Sequence, residues 1–589
     1  MMHLEDYGLI GNCQVSALVG RDGSIDWCCI PRFDAEPVFG RLLDPDGGRF
    51  AIQPGNGGLG VQAYVDNTNV LTTTFCDLDG RFRVIDFAPR FMQGDRVRRP
   101  TLLVRIVEPL EGCPAIRVSF DPRLGWSKER ATLVSIVGGS LRAVGYTAPL
   151  TLFSSRALPS SSGEGFALTE ALYFVLSWDV PLEDALPALC REALDRTVSY
   201  WRRWVKHCNV PTEFQREVIR SALALKLHCY EDTGAIVAAM TTSIPEAPRS
   251  RRTWDYRYCW LRDAYYVLDA LRLLGHFEER EAFIRFLLDI CERDADLDLK
   301  PLYGIDGRTN LEEHILPDWR GYHGDGPVRV GNGAATHQQH DVFGEMVLAL
   351  APVYMDERFA DERSSATLDL LARLARKAIK VVGTPDAGIW EYRKDWEPQT
   401  FSSLMCWAAA DRMSIIAMRH RPSIAGEFAK SAATIHREIL ARAWRPDLDA
   451  IAATYAGSGM DAALLQMAPL RFLQRTDPRL ASTVDRIGSA LGQDGWIYRY
   501  RSDDGLGVPE VAFVICTFWY IEALAMTGRR EQARRALQRV CDAMTPLGLL
   551  AEDYDTPGLK MRGNFPQAYS HVGLIHAAFA VSPRWDDVA

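Results

Sequence analysis

Two short motifs place carboxyl groups where they could do acid–base work. Residues 388–391 read GIWE and end on Glu391; residues 552–555 read EDYD and begin on Glu552. Breaking a bond between two sugars takes two such groups. One, protonated, gives its proton to the departing oxygen. In the inverting route the other, ionised, takes a proton from water on the opposite face of the ring. Glu391 follows Ile389 and Trp390. An aliphatic and an indole wall disfavour charge and suit an acid. Glu552 keeps company with Asp553, Tyr554 and Asp555, a polar setting that suits an ionised base, with Asp553 competing for the role. A lone Glu is ordinarily a hydrated surface side chain. The pair carries meaning only if the fold brings both to one pocket.

The elements that must do so are helical. From residue 211 onward the apolar spacing predicts twelve helices, at 212–230, 263–275, 279–293, 337–352, 365–381, 403–419, 424–442, 458–472, 478–491, 509–526, 529–544 and 567–581. The connections into the even-numbered helices are mostly long and rich in Trp, Tyr, Arg, Asp and Gly. They read 252–263 (RTWDYRYCWLRD), 310–332 (NLEEHILPDWRGYHGDGPVRVGN), 386–399 (DAGIWEYRKDWEPQ), 444–457 (WRPDLDAIAATYAG), 495–510 (GWIYRYRSDDGLGVPE) and 552–565 (EDYDTPGLKMRGNF). If successive helices run antiparallel, as short connections favour, all six rich loops gather at one end. Helices apolar nearly all round, such as 511–525 (VAFVICTFWYIEALA), must be buried on most sides. An inner ring of six helices inside six outer ones, an (α/α)6 barrel, satisfies both requirements. In such a ring the third and sixth loops lie opposite each other, so Glu391 and Glu552 face across one mouth. Long loops in a compact domain usually carry function. Aromatics, guanidiniums and carboxylates together suit a sugar. Trp254 and Arg329 belong to that candidate set.

Before residue 182 the pattern changes to short β-branched runs, such as 69–75 (NVLTTTF), 101–107 (TLLVRIV), 115–120 (AIRVSF) and 171–176 (ALYFVL). Turn signals at Asp22-Gly23, Asp46-Gly47-Gly48 and Asp79-Gly80 separate such runs. This predicts an antiparallel β-sandwich over 1–182, with a loop at 160–164. A linker helix over 183–210 and the catalytic barrel over 211–589 follow.

Composition narrows the function. A net charge of −9 argues against non-specific nucleic-acid binding. No apolar run is long enough to span a membrane, and 1–20 lacks the pattern of a signal peptide. The 13 cysteines are scattered, without CxxC spacing. Reduced thiols in a cytoplasmic protein fit them better than disulfides. Other motifs point nowhere in particular. Residues 55–60 (GNGGLG) match a dinucleotide fingerprint, but no helix follows. His337, His340 and Asp341 match no zinc signature. Met405, Cys406 and Trp407 read as core. Ser-type nucleophile chemistry lacks a GxSxG elbow. No cofactor or metal is expected; a small carbohydrate is the expected partner, and a homo-oligomer is compatible with the sequence.

Across nearly its whole length the chain resembles glycoside hydrolase family 15, the glucoamylase family, in its prokaryotic branch. The specific pieces are 254–263 (WDYRYCWLRD), 388–391 (GIWE), 552–555 (EDYD) and 563–571 (GNFPQAYSH), with 5–11 (EDYGLIG) and 20–33 (GRDGSIDWCCIPRF) resembling a trehalase-like N-terminal β-sandwich. The resemblance implies inverting, metal-independent hydrolysis, with Glu391 as acid and Glu552 as base. It implies that Arg262 and Asp263 grip the non-reducing glucose, with Trp260 beside them. Trp319, Trp390, Arg499 and Tyr500 match further positions near the sugar. Residues 508–512 (VPEVA) depart from the Gly-rich sequence of many relatives, which bears on the site beyond the first glucose. The branch implies an exo-acting α-glucosidase, most naturally on α,α-trehalose, with glucoamylase or isomalto-oligosaccharide activity as the alternative. A phosphorylase would need no protein base, and a silent sugar-binding protein should have lost one carboxyl; both carboxyls are present.

Overall fold

The computed structural model describes residues 2–158, 165–182, 185–294, 296–393 and 395–588. The expected loop at 160–164 and the expected boundary at residue 183 lie outside them. The N-terminal region is built from two antiparallel sheets. One runs in the order Tyr7–Gly11, Ser16–Gly20, Ser24–Cys29, Arg49–Pro54, Ala115–Asp121, Gly165–Ala167, with Pro37–Phe39 paired beside Ser24–Cys29. The other runs Thr132–Ser135, Leu141–Val144, Leu150–Ser154, Leu172–Trp178, Leu102–Gly112, Gly80–Phe87, Leu71–Asp77, Val61–Tyr64. They pack face to face: the ring of Phe50 from the first lies 6.0 Å from that of Phe174 in the second, edge to face. The GNGGLG segment joins two strands, Arg49–Pro54 and Val61–Tyr64.

A charged pair lies in this apolar core. Arg105 and Asp86 are cross-strand neighbours, bonded at 2.6 Å, and both side chains are fully buried. The remaining guanidinium protons go to the carbonyls of Phe50 and Gly23, in the opposite sheet and its turn. The pair therefore stitches the two sheets together.

Helix α1 (Leu186–Lys206) turns Cys190 and Ala193 onto the outer face of the eight-stranded sheet, against Val104 and Tyr173. It packs as part of the β region's shell. The helices that follow are α2 (Gln215–His228), α3 (Leu261–Leu274), α4 (Glu278–Arg293), α5 (Asp341–Met355), α6 (Ser365–Val381), α7 (Thr400–His420), α8 (Pro422–Ala443), α9 (Met467–Leu470), α10 (Pro478–Leu491), α11 (Val514–Met526), α12 (Arg530–Asp542), α13 (Ala568–Val581) and α14 (Trp585–Val588). Helices α5, α7, α11 and α13 are buried over most of their length, whereas α6, α10 and α12 bury one stripe. Contacts run from α3 to α5, α5 to α7, α7 to the 3-10 turn Ala462–Gln466, from that turn to α11, α11 to α13, and α13 back to α3. The inner elements therefore close on themselves.

Three expected helices differ. The one at 458–472 is a 3-10 turn followed by the single-turn α9, because Gly457 and Gly459 precede it and Pro469 interrupts its end. The one at 337–352 begins only at Asp341, so His337 and His340 precede it. Residues 338–340 spend their backbone groups on the third loop: His340 N–H donates to Asp386, and Gln338 accepts from Ala387 N–H. The helix expected from 509 starts at Val514, since Ala512–Phe513 is a strand paired with residues 553–554. All thirteen cysteines are free, and most are buried. No helix among the described residues is long and apolar enough to cross a membrane.

Arg105→Ala strands the Asp86 carboxyl in the core, and should destabilise the β region by about 3–5 kcal/mol. The isosteric pair Arg105→Met with Asp86→Leu should cost much less, as read from chemical-denaturation midpoints. A double variant as damaged as the single would show that the pair does not act as a unit.

Candidate active site

The rich loops lead into the N-termini of the inner helices. Trp260 precedes α3, and Arg262 and Asp263 occupy its first turn. Glu391 sits in a turn with φ of +62°, a left-handed conformation that a non-glycine residue adopts at a cost. Its surroundings hold it there. Gln339 donates to the Gly388 carbonyl, Arg262 donates to the Ile389 carbonyl, and Tyr392 N–H closes the turn on Ala387. Asp386 braces the start of the segment, accepting from His340 N–H at 2.9 Å and Ser402 Oγ at 2.8 Å. The Glu391 carboxyl accepts from Trp260 Nε1 at 2.7 Å and from Arg262 Nη1 at 3.3 Å, both on Oε1.

Glu552 is completely buried, immediately before the strand Asp553–Asp555. Tyr256 Oη donates to its Oε1 at 2.6 Å, and Asn564 N–H donates to its Oε2 at 3.4 Å. Gly563 is required beside it: φ is +74°, and a Cβ there would lie 2.6 Å from Glu552 Oε2. The rings of Tyr256 and Trp260 meet edge to face at 5.2 Å. Since Trp260 holds Glu391 and Tyr256 holds Glu552, the two carboxyls flank one aromatic pair.

A cavity opens beside that pair. Its walls include Glu246, Trp254, Tyr256, Trp390, Glu391 and Arg499. Every lining residue falls between 246 and 506, so the β region contributes none of them. Glu246 accepts from Arg499 Nη2 at 2.6 Å and Trp254 Nε1 at 2.9 Å. Trp254 lies beneath two guanidiniums, Arg393 at 4.4 Å and Arg329 at 5.1 Å. Arg329 pairs with Glu313 and is not among the lining residues. Nor are Arg262 and Asp263, which pair at 2.9 Å; Arg262 reaches from there to Glu391. Trp390 Nε1 donates to Asp461 at 2.9 Å, which turns its indole edge away from Glu391. Tyr500 is buried and donates to Asp504.

Three expectations need correction. Trp319 is not at the site: it is buried against the β region, its Nε1 donates to the Trp126 carbonyl at 2.8 Å, and its ring packs over Gly40. Glu391 does not stand against an indole wall; indole N–H and guanidinium donors meet its carboxyl. Glu552 does not sit in a charge-favouring setting. Burial, and then the nearby Glu246 carboxylate, push it up to about 8, while Tyr256 and Arg499 oppose the shift. Burial and Glu552 likewise raise Asp553 well above the usual carboxylate range. Residue types alone did not single out Glu246, Arg252, Tyr256, Asn332, Arg393 or Asp504, and His337 drew notice only as a metal ligand. Tyr256 lay inside the WDYRYCWLRD motif, whereas an isolated Glu246 between Pro245 and Ala247 gave no signal. His337 reaches the cavity and His340 turns to Thr384, so the two do not share a site.

The profile of glycosyl hydrolases family 15 matches residues 213–579. The chain belongs to this family. A second profile, trehalase-like N-terminal, matches residues 1–159 of the same family-15 chain. Curated relatives of comparable length include the trehalase of Mycolicibacterium smegmatis, 32% identical with 98% of this chain and 91% of that one covered. The trehalase of Thermoplasma volcanium is 33% identical, with 98% and 93% covered. Among solved structures, a bacterial glucoamylase in complex with acarbose superposes with a TM-score of 0.63 at 12% identity, over 98% of this chain and 93% of that one. The family-15 chain thus has a glucoamylase-like fold, an antiparallel β region followed by a helical domain.

Infrared difference titration, with Glu552→Gln to assign the band, should place the Glu552 carboxyl near pH 8. Tyr256→Phe removes a donor to the charged form and should raise that midpoint further. Glu246→Gln removes like charge and should lower it by roughly one pH unit. A midpoint near 4.5 in the wild type would contradict the buried environment.

Proposed function

We propose that this family-15 hydrolase is a trehalase, an inverting enzyme that splits α,α-trehalose into two glucoses. The observation that carries the reading is the pair of carboxyls, Glu391 on the wall of the cavity and Glu552 buried behind its lining residue Tyr256, to which it is hydrogen-bonded, in a chain similar to trehalases over nearly its full length. Closed contacts among the inner elements support an (α/α)6 barrel with the site at one mouth. Thirteen free thiols suit a reducing compartment such as the cytoplasm.

In this mechanism Glu391 protonates the glycosidic oxygen while Glu552, once ionised, takes a proton from the attacking water. The water oxygen joins the anomeric carbon as the bond to the leaving oxygen breaks. Inversion releases one β-glucose from the attacked ring and one α-glucose from the leaving ring. Arg499, Tyr256 and Asn564 supply the positive and donor groups that favour the ionised base. Glucoamylase activity is the less favoured alternative, since the near full-length relatives are trehalases.

One observation favours exchanged roles. Burial and Glu246 push Glu552 up to about 8, as an acid should be, whereas Glu391 accepts hydrogen bonds from Trp260 and Arg262. α-Glucosyl fluoride separates the two assignments, because its leaving group needs little protonation. Glu391→Gln should lose roughly a hundredfold or more on trehalose and be largely spared on the fluoride. The exchanged assignment requires that pattern from Glu552→Gln instead.

Purified protein should release glucose from trehalose, and proton NMR in the first minutes should show equal α- and β-anomers. Hydrolysis of maltose or isomaltose with none of trehalose would replace the trehalase reading by the alternative. If Glu552 is the base, kcat/KM should rise with pH through its ionisation, with the acid limb well above pH 4.5. A limb at or below that value would remove Glu552 from the role.

A further inference from the structure

Asp504 stands on a wall between two cavities. On one side is the carboxyl-bearing cavity, to which Arg252, Asp504 and Leu506 contribute. On the other is a separate groove lined by Tyr392, Gln399, Thr454, Tyr500, Ser502 and Asp504, among others. The wall is held by one buried ion pair. Arg252 Nη1 and Nη2 each donate to an Asp504 carboxyl oxygen at 2.7 Å, and both side chains are less than a tenth exposed. Arg252 also donates to the Gly507 carbonyl at 2.6 Å, which ties the loop down, and Tyr500 Oη donates to Asp504. The rings of Tyr392 and Tyr500, 5.3 Å apart, add to the partition. The clasp links the first loop, at Arg252, to the fifth, at Asp504.

We propose that the Arg252–Asp504 clasp sets substrate length. Closed, it confines the cavity to a short glucoside and denies α-linked glucan chains the groove beyond. That groove offers tyrosine faces, a carboxamide and hydroxyls, the chemistry that takes a sugar ring. The proposal rests on the trehalase reading. Exo-cleavage puts the terminal glucose at Glu391 and Glu552, so any further rings must extend away from them. With the clasp in place, the wall that bounds this cavity also bounds the groove. Remove either partner, and the cavity and groove become one cleft able to hold a malto-oligosaccharide.

The test uses the full chain as wild type, Arg252→Ala, Asp504→Ala, the double variant and Arg252→Lys. Glucose release gives kcat/KM on trehalose, maltose, maltotriose and maltopentaose. The maltopentaose-to-trehalose ratio should rise about tenfold in each alanine variant, and no further in the double variant, because one clasp is lost in all three. Arg252→Lys, which keeps the charge but not the fork, should fall between them and guards against an alanine variant that does not fold. An unchanged ratio in cooperatively unfolding variants, with wild-type trehalose hydrolysis intact, overturns the clasp alone. So does a wild type that already cleaves maltopentaose as fast as trehalose. A wild type inert on every glucoside overturns the trehalase reading, and the clasp with it.

Discussion

Concentrated negative charge in a buried setting is the constraint around which this site is built. Two buried guanidiniums, Arg262 and Arg499, answer for most of it. Arg262 pairs with Asp263 and Glu391, and Arg499 pairs with Glu246 in the field of Glu552 and Asp553. Carboxyl groups outnumber guanidiniums in the second cluster, so burial and mutual repulsion keep protons on Glu552 and Asp553. A buried charge without a partner is too costly to persist, and proton uptake is the cheaper response. The same cluster that makes these acids proton-holding brings a potential base against the cavity's aromatic wall. Among the described residues, Asp553 Oδ2 has no hydrogen-bond partner.

The second constraint is backbone strain at Glu391. A left-handed glutamate survives because hydrogen bonds from α3, from 338–340 and from α7 converge on 386–391. The β region works further out. Lys128 and Asp44 hold residues 318–320, Trp319 plugs into Trp126 and Gly40, and Arg257 donates to the Ala35 carbonyl. The sheets buttress the second loop and the first, while the cavity wall is left to the helical domain.

Much of this architecture could be read in the chain. Short β-branched runs between turn signals marked the strands, and the nearly all-apolar segment 511–525 marked α11, because burial on most sides leaves no polar face to write. The weak segment was 458–472, whose hydrophobic spacing looked helical while Gly457, Gly459 and Pro469 limited it to short turns. The Glu391 and Glu552 motifs were legible as carboxyls in rich loops. Their electrostatics were not, since the neighbours that matter are distant in sequence. Glu246 lies about 300 residues before Glu552, and Trp260 reaches Glu391 across 131 positions. Adjacency misled in both directions: Trp390 follows its own bond to Asp461, and Asp555 turns to Arg562 instead of the carboxyl three residues earlier. Trp319 failed for a related reason. An indole in a long loop can stack on a ligand or plug a domain interface, and only the partner of its N–H tells which.

The wall at Asp504 follows from the same logic of charge and burial. Arg252 is already one of the nearby cations that oppose Asp553's upward shift, yet its guanidinium is committed to Asp504 and Gly507. A fork bonded at both tips and nine-tenths buried is a fixed object, unlike a surface pair that exchanges with water. Fixing it fixes the loop that carries Leu506 into the cavity. The shape of the pocket beyond the two carboxyls is therefore tied to the charge balance within it. The residues proposed to limit the site's length and those that tune its protons belong to one connected network, running from Arg252 through Asp504 and Tyr500 to Arg499 and Glu246.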